Sequence, residues 1–320
     1  MGRAEWAWTR FRPWAPWVSL AIGLWNAFGV VRHYEQARWV AWMLAGIWIV
    51  FGVLAWLRRR LVRKGGSDRR TSVIIYLFSW AAQSLSQEIL FFVLPFWIRS
   101  TTWNSHNAFF TVFLLILAAS TLYDPLYMEH IAARPRLLLI HKALVAFAGL
   151  AFVVPAMMGA HTLQALALAG ALSGMAAAFL VPARRRIHSC LLGLFVGAAA
   201  AVLGSGWFAP VPMRVEAGTF SKGVQGRLPL EPLSTAPQGV ELWAWTPIFA
   251  PSGLTDTIIH SWSRDGQKVA RVPLLLHGGR KEGFRTWSSS KSAASKAGLV
   301  RVDVATSGGQ LVGRLKIAVK

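Results

Sequence analysis

The sequence predicts an α-helical membrane bundle of about seven transmembrane helices, followed by an all-β sandwich domain. Three observations predict it. Hydrophobic residues make up 54% of the chain and charged ones only 15%, against about a quarter in soluble domains. Up to about Phe208 the apolar residues fall in long runs parted by short, arginine-bearing loops. Beyond Phe208 the runs stop, and apolar residues alternate with polar ones. The expected domains are therefore 1–208, polytopic and helical, and 209–320, an extracytoplasmic β-sandwich.

Each run in the first part is close to the ~20 residues that a helix needs to cross a bilayer. The first spans about Trp14–Val31 and the second about Trp39–Leu57. Arg3, Arg10 and Arg12 precede the first, and no Ala-x-Ala-like site follows it, so it reads as an uncleaved span. The third run, Ser72–Ile98, carries polar residues at its middle. The fourth covers Ala108–Leu122, and Asp124-Pro125 stops it, because the residue before proline avoids helical geometry. The fifth, sixth and seventh cover Leu137–Gly159, Leu163–Val181 and Cys190–Phe208. Pro95 and Pro155 are expected to kink the third and fifth near their ends. Gly170-x-x-x-Gly174 and Gly193-x-x-x-Gly197 predict that the last two helices pack closely, since glycine lets backbones approach in lipid.

Charge orients the runs. The tract Arg58–Arg70, read RRRLVRKGGSDRR, resists crossing a bilayer and belongs on the cytoplasmic side. Alternation then puts the N-terminal arginines, Arg134, Arg136 and Arg184–Arg186 on that same side, and only Arg32, Arg38 and Arg99 outside. Seven spans leave the C-terminal domain outside. The net charge of +21 reads as attraction to anionic lipid headgroups and not to nucleic acid. Cys190 stands alone, so no intrachain disulfide and no multi-cysteine zinc site is expected. No nucleophile elbow, phosphate loop or His-Glu-x-x-His motif is present, and no catalytic residue, metal or cofactor is expected.

In the second part, Val300, Val302 and Val304 alternate with Arg301 and Asp303; Leu311 to Val319 repeats the pattern after the turn Ser307-Gly308-Gly309. Arg264-Asp265-Gly266 signals another hairpin, between Thr257–Ser263 and Gln267–Leu276. Met213–Ser221 and Val240–Thr246 are further strand candidates.

The order His260-Ser-Trp262, Asp265-Gly266, Gly279-Arg280, Gly283-Phe-Arg285-Thr-Trp287-Ser288, Gly298-x-x-Arg301-Val-x-Val304 and Gly309-Gln-Leu-Val-Gly313 resembles the bacterial domain-of-unknown-function family 2914. Leu299-Val300 stands where that family often has a tryptophan. Gln87-Glu88-x-Leu-Phe-Phe-x-Leu-Pro-Phe96 resembles the uncharacterised membrane family 5924. The resemblances imply architecture, and the span count, in a Gram-negative bacterium, predicts the helices in the inner membrane and the sandwich in the periplasm. The resemblances imply no activity.

Two constellations are candidate sites. Gln83, Ser84, Gln87 and Glu88 share one face of the third helix, and Glu88 is the acidic residue deep in a predicted span. They suit a proton or substrate site, or a structural hydrogen-bond network. In the outer domain His260 and Trp262 share a strand face, as do Arg285 and Trp287, with Arg280 nearby in sequence. They suit an aromatic and cationic platform for an envelope glycan, or a sandwich core with a buried tryptophan. The functional expectation is a membrane-anchored sandwich that binds an envelope ligand or protein partner. The alternative is a transporter or lipid-modifying enzyme built on Glu88.

Overall fold

The computed structural model describes residues 69–320, with short breaks at 124–125, 179–185, 204–205 and 281, and single positions among the first 60. The first two expected spans and most of the basic tract lie outside the described residues. The chain divides into two compact units: Met1–Pro95, Val112–Val153 and Leu168–Ala198 form one; Phe96–Thr111, Val154–Ala167 and Ala199–Lys320 form the other.

Among the described residues from 69 onward the helices are α1 (Arg69–Ser100), α2 (Asn107–Leu122), a π-helix (Leu126–Ala132), α3 (Pro135–Met158), α4 (Thr162–Ala178) and α5 (Arg186–Leu203). They correct the expected seven-helix bundle. Among the described residues two helices are long and apolar enough to cross a membrane, Ser79–Ser100 and Pro135–Met158. A third exists only if α2 and the π-helix, bent by 110° to each other, count as one span. The physical reason is length. The 16 residues of α2 rise only ~24 Å, short of a ~30 Å hydrocarbon core. The 17 residues of α4 do little better. The 18 residues of α5 open on Arg186 and His188, which shortens the apolar part further.

Close packing of α4 and α5 is present where the glycines foretold it. A Cβ on Gly170 would collide with the backbone of Gly197. Lys142 departs from expectation. Its sequence position suggests an ammonium reaching out to headgroups. Instead it is buried, and Nζ donates to Ala82 O at 2.7 Å and Ser86 Oγ at 2.5 Å, tying α3 to α1.

The β domain runs from β1 (Arg214–Val215) to β10 (Leu311–Val319), in two five-stranded sheets. The first sheet joins β1, β5 (Leu242–Phe249), β2 (Thr219–Gln225) and β3 (Leu228–Leu233), with β8 (Phe284–Ser290) on the free side of β5. The second orders β4 (Thr235–Ala236), β10, β9 (Gly298–Thr306), β6 (Thr255–Arg264) and β7 (Gln267–His277). Their inward faces share one core, including Phe220, Ala244, Ile248, Trp262, Val302 and Ile317. Both predicted hairpins form. Arg264 pairs with Gln267 across Asp265 and Gly266, whose φ values of 48° and 85° supply the left-handed turn that closes a two-residue loop.

The second unit also holds the C-terminal ends of α1 and α3 and the start of α4. Asn107 Nδ2 donates to Leu311 O at 3.2 Å, and Arg314 Nη1 to Asn104 O at 2.9 Å. Thr162 Oγ1 donates to Gln310 Oε1 at 2.5 Å. His161 Nδ1 lies 3.4 Å from the buried Asp256 carboxylate.

Candidate functional site

Successive side chains on a strand point to opposite faces. In β5, Leu242, Ala244, Thr246 and Ile248 point inward and are buried, which turns Trp243 and Trp245 outward. In β8, Thr286, Ser288 and Ser290 point inward, which turns Arg285, Trp287 and Ser289 outward. The two strands are antiparallel neighbours. Trp245 faces Trp287, Trp243 faces Ser289, and Pro247 faces Arg285. Thr219 of β2 stands on the other side of Trp245. Three half-buried indoles thus sit side by side on the outer face of the first sheet, flanked by hydroxyl side chains and one guanidinium. Cross-strand partners stand about 5 Å apart and alternate residues of one strand about 7 Å apart. Arg285 Nη2 donates to Glu282 Oε2 at 3.0 Å, which steadies it beside the face.

The β2–β3 ribbon reaches over this face. β2 pairs with β5 only through Thr219, Phe220 and Ser221, and then continues with β3 alone. Gly226 and Arg227 form its tip, with φ of 58° and 66°. A straight ribbon would carry Arg227, eight residues past Thr219, ~26 Å along the sheet from the Trp245 row. Yet Trp245 Nε1 donates to Arg227 O at 3.1 Å. The ribbon therefore folds back over the outer face. The ladder skips a pair at Lys222 and Glu231, where Glu231 takes φ of 48°, and this is where the bend lies. Lys222 Nζ meets Glu231 Oε2 at 2.6 Å across it.

His260 and Trp262 do not join that face. They belong to the other sheet, point into the core and are fully buried. Thr246 Oγ1 lies 2.9 Å from His260 Nε2, and Ser288 Oγ lies 2.8 Å from Nδ1. Trp262 Nε1 donates to Ser288 Oγ at 2.9 Å, and Thr286 Oγ1 to Thr246 O at 2.7 Å. One direction satisfies every group: Trp262 to Ser288 to His260 Nδ1, and His260 Nε2–H to Thr246 to Thr286. It needs the neutral imidazole. Burial holds the imidazole so, lowering its pKa to about 4. This hydrogen-bond chain staples the two sheets through the buried core. Arg280 is exposed on the loop before β8, its guanidinium 5.0 Å from the Phe284 ring. The structure therefore brings together Arg285 and Trp287 but neither His260 nor Trp262. It adds Trp243 and Trp245, whose signal was the Trp-Ala-Trp alternation in a strand already foreseen.

In the helical unit Gln83 and Gln87 are buried, while Ser84 and Glu88 are half-buried. Gln83 Nε2 donates to Thr121 O at 3.0 Å, bonding α1 to α2. His141 packs its ring edge-on to Tyr127, with centroids 5.3 Å apart. Gln87 Nε2 and both His141 ring nitrogens are buried without a hydrogen-bond partner among the described residues. No cluster of metal-ligating side chains occurs among the described residues.

Comparison with known proteins locates the chain by sequence. The model of the family of unknown function DUF5924 matches residues 3–236, and that of the protein of unknown function DUF2914 matches residues 255–319. A comparison with curated proteins finds no match. A β-glucosidase from Listeria innocua, crystallised in complex with glucose, is 14% identical over 33% of this chain and 15% of its own, with a TM-score of 0.23. This chain thus spans only a small part of that enzyme. The alkylpurine DNA glycosylase AlkC of Pseudomonas fluorescens, bound to DNA containing an abasic site analogue, is 14% identical over 84% of this chain and 76% of its own, with a TM-score of 0.24. Backbone agreement that low carries no inference to this protein. The two family matches follow one another along the chain, in the order the sequence motifs had: the protein belongs to the DUF5924 family and ends in a DUF2914 region.

Proposed function

We propose that this protein is a bacterial inner-membrane protein that presents its β-sandwich in the periplasm, where the sandwich binds an envelope ligand. The carrying observation is the outer face of the first sheet, with Trp243, Trp245 and Trp287 in register beside Arg285. Soluble domains bury such residues or gather them where something docks.

Topology supports the compartment without counting spans. Both candidate spans end, at Ser100 and Met158, in the unit that contains the sandwich. Arginines gather at the opposite ends: Arg69 and Arg70 open α1, while Arg134 and Arg136 border the start of α3. Arg99 is the arginine at the sandwich end of α1. Positive charge marks the cytoplasmic side, so the sandwich lies across the membrane from it.

The test uses the full chain in nanodiscs, carrying a photo-crosslinking residue at Ser289, directly opposite Trp243 and next to Trp287 on its outward face. Irradiation against isolated envelope fractions is expected to capture a periplasm-exposed envelope component. Capture confined to cytoplasmic material, or none at all, contradicts the reading.

A further inference from the structure

We propose that the tryptophan face of the first sheet is a saccharide-binding site, and that the β2–β3 ribbon is its movable strap. The proposal rests on the reading above and names the ligand's chemistry.

The chemistry of the face selects the ligand. A pyranose has an apolar C–H face and a rim of hydroxyls. The face offers three indoles carried on strand positions whose backbones stand about 5–7 Å apart, the scale of a sugar ring, bordered by hydroxyl side chains. Thr219, Trp245 and Trp287 form one row, and Trp243 and Ser289 the next. Arg285, in the following row, can donate to ring or carboxylate oxygens. The outward side chains of these rows are indoles, hydroxyls, one proline ring and one guanidinium, with no leucine, isoleucine or valine among them. The exposed leucines nearby, Leu228 and Leu230, belong to the ribbon.

The ribbon is built to move. Past Ser221 it has no further strand neighbour than its own partner, and a two-stranded hairpin alone is marginally stable. Its tip is tied to the face by the Arg227 carbonyl bonded to Trp245 Nε1. A ring stacked on Trp245 displaces that tip. The same indole N–H then becomes free to donate to a sugar oxygen.

The test measures binding of the full chain in nanodiscs to three soluble probes: dextran, alginate and glycan strands released from peptidoglycan. Three proteins are compared: the native chain, Trp287→Ala, and a strap-shortened chain in which residues 224–229 are replaced by Asn-Gly. Circular dichroism and hydrogen exchange in β6 and β9 confirm that each variant is folded. The proposal expects the native chain to bind at least one probe, Trp287→Ala to lose at least tenfold, and the shortened chain to bind about fivefold tighter. Equal binding by Trp287→Ala overturns the site. Weaker binding by the folded, shortened chain overturns the strap. If neither the native nor the shortened chain binds any probe, the saccharide proposal fails. Capture of an envelope protein through Ser289 would then leave the broader reading standing with a protein as the ligand.

Discussion

Trp262 and Trp287 sit in the two sheets of one sandwich, within reach of the same serine-rich strand, yet do opposite things. Trp262 points inward, is fully buried and gives its N–H to Ser288. Trp287, one residue before Ser288, points outward beside Trp245. A strand alternates its faces with a period of two, so a single step in register separates a core residue from a surface one. The difference teaches that residue type names no site in a β domain; the face does.

The comparison breaks most visibly under truncation of the inner tryptophan. Trp262→Ala removes the largest inward ring and its packing with Phe220, 6.0 Å away, and is expected to destabilise the β domain by about 3–5 kcal/mol. Hydrogen exchange across β6 and β9 in the full chain would report it. A loss under ~1 kcal/mol would deny Trp262 its place in the core.

Acid is expected to act next. His260 has a pKa of about 4 in the folded protein against 6.5 for an ordinary imidazole. Its folded pKa is depressed, so the unfolded chain binds the extra proton first, and the stability is complete above about pH 6.5. It is lost as pH falls toward about 4, by at most roughly 3 kcal/mol. Chemical denaturation at pH 7 and pH 4.5 would show the slope, and His260→Gln should flatten it. A native slope that survives in His260→Gln would assign the acid sensitivity elsewhere.

Ser288→Ala sharpens the comparison. It leaves Trp262 Nε1 and His260 Nδ1 without their oxygen, at a cost of about 1–3 kcal/mol, visible as a lower denaturation midpoint. The smallest expected effect is at the outer ring. Trp287→Ala should cost about 1 kcal/mol, well below Trp262→Ala, because the outward indole is only half-buried and its truncation leaves no closed cavity. A loss as large as that of Trp262→Ala would make both rings structural.

The sequence foretold what depends on neighbours in the chain. Asp265-Gly266 and Ser307-Gly308-Gly309 close hairpins because local backbone geometry decides them. Gly170 foretold its close approach to Gly197 because no side chain intervenes. Pairings between distant segments were not legible. β5 meets β8 across about forty residues, and nothing in either strand names the other, so Trp243 and Trp245 were seen as a strand and not as a site. The seven-span expectation failed for a related reason. Apolar runs such as Ala108–Leu122 are read by composition, but a helix of 16 residues is too short to cross. Lys142 turned inward because Ala82 O and Ser86 Oγ were waiting on another helix.

The most direct measurement of the central claim is tryptophan footprinting. The native full chain in nanodiscs is treated with N-bromosuccinimide under limiting conditions, and each indole's oxidation is read by peptide mass spectrometry. The account predicts that Trp243 and Trp287 are oxidised while Trp262 stays intact until the domain is unfolded. Early oxidation of Trp262, with Trp243 and Trp287 protected, would place the buried and the exposed faces the other way round.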